Sequence, residues 1–102
     1  MRKNAEMIKL FNYLNDHGYS ADHTHRTFAS GEAEQINVYH LETGEKLWDV
    51  VANPLSMGWD GNIITSKLEL MGKDRDPIGY LTAEEIITSL KIMEGLGVRM
   101  DV

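Results

Sequence analysis

Residues 34–52 constrain the fold more than any other stretch, because two apolar runs flank one glycine-bearing turn. Ile36, Val38, Tyr39 and Leu41 lead into Glu42-Thr43-Gly44-Glu45, and Leu47, Trp48, Val50 and Val51 follow it. β-Branched and aromatic side chains fit a pleated surface, and glycine supplies the positive φ of a short hairpin loop. The stretch predicts a β-hairpin. Gly44 suits a two-residue turn or a longer bulged one, so the register stays open.

On either side of this hairpin the pattern alternates between helical and extended periods. Met7, Leu10, Phe11 and Leu14 fall at i, i+3, i+4 and i+7, which predicts a first helix over residues 4–17. Asn4 is its expected N-cap and Gly18 its left-handed terminator. Residues 19–30 alternate as an edge strand, with His23 and His25 on one face and Thr24 and Arg26 on the other. Ser30-Gly31 turns the chain into the hairpin, and Asn53-Pro54 ends it. Asn62 to Met71 reads as a fourth strand with Ile64, Ser66, Leu68 and Leu70 on one side. Residues 72–79 read as a polar, solvated loop.

Leu81-Thr82-Ala83-Glu84-Glu85-Ile86 carries a capping box, with Thr82 as N-cap and Glu85 reaching back to its amide. Leu81 and Ile86 suit a hydrophobic staple. This second helix runs to about Glu94, where Gly95 and Gly97 stop it, and the tail 98–102 either docks or frays. The expected architecture is one α+β domain over residues 1–102, with an antiparallel sheet of about four strands and two flanking helices. The expected order is α-β-β-β-β-α.

Composition narrows function. The chain has 102 residues, 42% hydrophobic and 25% charged, which is an ordinary globular balance. Sixteen acidic residues against ten basic ones give a formal charge of −6. A duplex nucleic-acid binder needs a basic face, and an anionic membrane attracts one, so direct binding to either is not expected. The preferred partner surface is neutral or basic. Without cysteine there is no disulfide, thiol nucleophile or Cys-based zinc finger. Neither a signal-peptide core nor a membrane-length apolar run is present, which predicts a cytoplasmic protein.

Three groups of residues could carry chemistry. Asp22, His23 and His25 lie within four residues, His17 is just upstream, and His40 stands on the neighbouring strand. Imidazole with carboxylate suits zinc, so these five are the candidate metal ligands, and no other cofactor is expected. The alternative is solvent-facing histidines that protect a sheet edge. The loop Leu55-Ser56-Met57-Gly58-Trp59-Asp60-Gly61 is the second group. Met57, Trp59 and Asp60 would form a projecting apolar anchor, unless Trp59 folds back over the core. Asp74 and Asp76 join them as acidic contacts for a basic partner. His23, His25, Asp22, Asp49 and Asp60 are the raw material for catalysis, yet no nucleophile elbow, phosphate loop or H-E-x-x-H helix accompanies them.

Short, acidic, cysteine-free, α+β and without a catalytic signature, the chain resembles the small inhibitors encoded by phages and mobile elements, including anti-CRISPR proteins. That resemblance implies a non-enzymatic protein that binds and inhibits a larger, basic nucleic-acid-processing partner in the host cytoplasm. The other readings are a zinc metalloprotein built on the histidine set, and an interaction domain that pairs through an exposed sheet edge.

Overall fold

The first helix begins where Asn4 stops the preceding chain and turns its side chain onto the helix. The Asn4 carboxamide oxygen accepts from the Met7 amide at 2.9 Å, which satisfies one of the donors that a helix start leaves without a partner. In the computed structural model, which describes residues 3–99, the elements are α1 (Ala5–Asp16), β1 (Ser20–Phe28), β2 (Gly31–Tyr39), β3 (Lys46–Ala52), β4 (Leu68–Gly72), β5 (Ile78–Leu81) and α2 (Ala83–Gly95). The strands form one antiparallel sheet in the order β1-β2-β3-β4-β5. The fold is α+β, with five strands where the sequence predicts about four.

The predicted hairpin is the middle of this sheet. Ile36 faces Val50 and Val38 faces Trp48, and a bulge between Val38 and Tyr39 accommodates the longer loop. Alternation then puts Glu34, Ile36 and Val38 on the helix-covered face together with Trp48, Val50 and Ala52, and all six are buried. From the helices, Met7, Leu10, Leu14, Ile86, Ile87 and Leu90 close the core. Gln35, Asn37, Asp49 and Glu69 lie on the opposite face.

The predicted fourth strand is mostly turn. Only Leu68–Gly72 pairs, and residues 62–67 are held by their own side chains. Asn62 Oδ1 accepts from the Ile64 amide at 2.9 Å, and Asp60 receives the hydroxyls of Thr65 at 2.7 Å and Ser66 at 2.9 Å. Such local bonds compete with a sheet ladder. Ile63 is consequently buried and Ile64 exposed, the reverse of the alternation expected.

The stretch expected to be a solvated loop contains β5 instead. Leu70 faces Ile78 and Leu68 faces Leu81, with an irregularity between. Tyr80 takes φ +59, a conformation costly for a side-chain-bearing residue, which hides the short strand from pattern reading. Both helix starts follow expectation. Thr82 and Glu85 exchange the two bonds of the capping box. Of the tail, Arg99 stacks over Tyr19 at 4.1 Å and donates to the His17 carbonyl at 3.1 Å. Residues 100–102 lie outside the described residues.

Candidate functional site

The candidate metal ligands are separated by the sheet's own geometry. His17 caps α1, where Nδ1 donates to the Tyr13 carbonyl at 2.9 Å and the ring stacks on Tyr13 at 3.9 Å. Asp22 falls on the face away from the helices and accepts from Tyr39 Oη at 2.5 Å and Asn37 Nδ2 at 3.0 Å. That bond from the Tyr39 hydroxyl pushes its pKa up. His40 lies beyond the end of β2, and its Nδ1 accepts the amides of Glu42 and Thr43 at 3.1 and 3.2 Å.

His23 and His25 do share the helix-covered face. Each meets a glutamate of β2 rather than another predicted ligand: His23 Nε2 is 2.7 Å from Glu34 Oε1, and His25 Nε2 is 3.7 Å from Glu32 Oε1. Phe11 closes over the His23 ring at 5.3 Å. Among the described residues, no three His, Asp or Glu side chains are arranged to hold a metal ion. The signal for Glu32 and Glu34 was the E-x-E pattern set diagonally to H-x-H across a two-residue turn, legible only once the register is known.

The 55–61 loop folds back. Trp59 is half-buried and packs on the core, while Asp60 is a loop organiser whose carboxylate the Thr65 hydroxyl, above all, holds below the usual Asp range. Met57 lies along β5: its carbonyl accepts from the Tyr80 amide at 3.2 Å and its amide donates to Glu69 at 3.0 Å. Glycine makes this approach possible, since a Cβ on Gly79 would lie 2.2 Å from Met57 Cβ. The side chain that projects is Leu55, 96% exposed. Asp74 and Asp76 are exposed in the β4–β5 turn, with Asp74 at φ +59.

A concavity lies between α2 and the far end of the sheet. It holds about 450 Å³ between Trp48, Leu70, Ile78 and Leu81 on the sheet side and Ile86 and Leu90 on the helix. Glu84, Glu85, Thr88 and Ser89 form its rim. A second hollow of about 240 Å³ continues along Trp48, Leu70 and Ile78 toward Lys73, Arg75, Asp76 and Met93. The indole N–H of Trp48, buried in this wall at 3% exposure, meets no acceptor among the described residues. A buried donor without a partner costs about 1–3 kcal/mol, so it is uncommon in a settled core. Ile78 remains 52% exposed at the mouth. Sequence reading missed the groove because Ile78 sat in a segment read as loop, and Leu81 was read only as part of the staple before α2.

The walls of the groove are apolar, and the carboxylates of Glu84 and Glu85 stand at its edge. Comparison with protein-family models, with curated proteins and with solved structures finds no match.

Proposed function

We propose that the chain is a non-enzymatic binding protein that inhibits a larger, basic, nucleic-acid-processing partner by docking on it through the groove between α2 and β3–β5. The observation that carries this reading is the pairing of an apolar groove of about 450 Å³ with the carboxylates of Glu84 and Glu85 at its edge. A net charge of −6 speeds encounter with a basic surface, and a buried apolar anchor slows escape. The anchor is supplied by the partner: an apolar side chain enters between Ile78 and Leu90. This replaces the arrangement in which Trp59 itself would be the anchor.

Affinity capture from host lysate with wild type and with Ile78→Glu, followed by association kinetics on the purified partner, tests the proposal. The expected partner is basic and is recovered by wild type but not by Ile78→Glu. Reversing Asp74 and Asp76 to lysine is expected to slow its association and flatten the salt dependence. A directly bound partner that is acidic, or one that Ile78→Glu holds as tightly as wild type, contradicts the reading.

A further inference from the structure

The two edges of the sheet are not alike. β5 is four residues long, bears the strained Tyr80, and has Met57 lying on it through the Tyr80 amide bond. These are devices that blunt an edge. β1 has none of them. It runs for nine residues, about 30 Å, without proline, lysine or a break in its register with β2. Along its outer side, alternate residues turn main-chain N–H and C=O groups away from β2.

The order of side chains on β1 is self-complementary. Antiparallel pairing of two β1 strands about Thr24 sets Asp22 opposite Arg26 of the second copy, and Arg26 opposite its Asp22. His23 falls opposite His25 of the second copy, and Thr24 faces itself. The two ion pairs lie on the face away from the helices, where both residues are exposed. Asp22 accepts from Tyr39 and Asn37 through one lone pair on each oxygen, which leaves acceptor capacity for a guanidinium. Shifting the two-fold axis by one residue breaks both pairs.

We propose that this protein pairs with a second copy of itself through β1, antiparallel and centred on Thr24, to form one continuous sheet across a two-fold axis. The groove lies at the far end of the sheet from β1, so pairing leaves both grooves open and presents two binding sites per assembly. Failure of this pairing therefore leaves the groove reading untouched, and the converse holds too.

Charge exchange tests the register. By light scattering over a concentration series, wild type is expected to show a monomer–dimer equilibrium. Arg26→Asp alone and Asp22→Arg alone each place like charges opposite one another, and each is expected to associate about tenfold more weakly. Mixed together, the two variants restore both pairs and are expected to form the heterodimer. Wild type that stays monomeric at millimolar concentration overturns the proposal. So do variants that self-associate like wild type, and variants that fail to recombine while each remains folded. Where Asp22→Arg unfolds, amide exchange on wild type decides the matter. Alternate β1 amides that slow as concentration rises support the pairing, and concentration-independent exchange throughout β1 overturns it.

Discussion

The backbone N–H of Asn4 donates to the carboxylate of Glu34, thirty positions away, and both residues are almost wholly buried. Through this bond the start of α1 is tied to the middle of β2. Asn4 also donates from Nδ2 to the carbonyls of Ile63 and Ser66 at 2.6 and 2.8 Å. Glu34 in turn receives His23 at 2.7 Å. One residue pair therefore joins the first helix, the edge strand's neighbour and the 62–67 turn.

Asn4→Ala removes a helix cap and leaves two buried carbonyls without their donor. The expected loss is about 2–4 kcal/mol, because the cap and the stranded acceptors act together. Urea unfolding checks it. A loss near the few tenths expected of a surface substitution would show that these bonds do not hold the fold.

The capping box of α2 makes a second, smaller prediction. Thr82→Ala is expected to cost about 1 kcal/mol by removing the acceptor for the Glu85 amide, read as a lowered melting temperature. The Glu85 carboxylate sits below its ordinary value, chiefly because it accepts the Thr82 amide. Its stabilising part is therefore complete above the unfolded-state value and is lost as pH falls through the lower folded-state value. Glu85→Gln is expected to flatten stability against pH in that acid range.

Tyr13 makes the alkaline prediction. Burial, then the bond to Glu94 at 2.8 Å, pushes its hydroxyl up to about 12. The folded state thus favours the neutral phenol. Its contribution is whole below the unfolded value near 10 and is lost as pH rises toward 12. Absorbance titration should show Tyr13 and Tyr39 both ionising late, and Tyr13→Phe should remove the step near 12 while leaving that of Tyr39.

How much of this was legible in the chain depended on how local the determinants were. Asn4, Thr82 and Glu85 act within one helical turn, so both helix starts could be read directly. The central hairpin announced itself through its β-branched runs. β5 could not be read, because its register is irregular and Tyr80 adopts a conformation that no short pattern encodes. The 62–67 turn was misread as strand because Ile63 and Ile64 look extended while Asp60 and Asn62, which decide the matter, lie before them. The histidines were legible as a group, but their partners Glu32 and Glu34 depended on strand register, and the groove depended on the distance between α2 and the sheet.

Metal removal addresses the histidine set. His17 and His40 each use a ring nitrogen on the main chain, and His23 Nε2 is occupied by Glu34. Identical melting with and without a chelator is the expected outcome, since a bound metal would add stability only to the folded state. A chelator-dependent fall in melting temperature that His23→Ala abolishes would show that a metal is held.

The groove is tested most directly at Trp48, whose indole N–H signal in a ¹⁵N-labelled sample is told from that of Trp59 by a Trp59→Phe variant. A leucine–lysine amphipathic peptide serves as probe, with its lysines replaced by glutamate as the control. The account predicts that the Trp48 indole resonance and the methyl signals of Ile78, Leu81 and Leu90 move together as the basic peptide is added. The response should weaken with salt and should vanish with the acidic peptide. Equal responses to both peptides, or shifts confined to residues outside the groove, would contradict it.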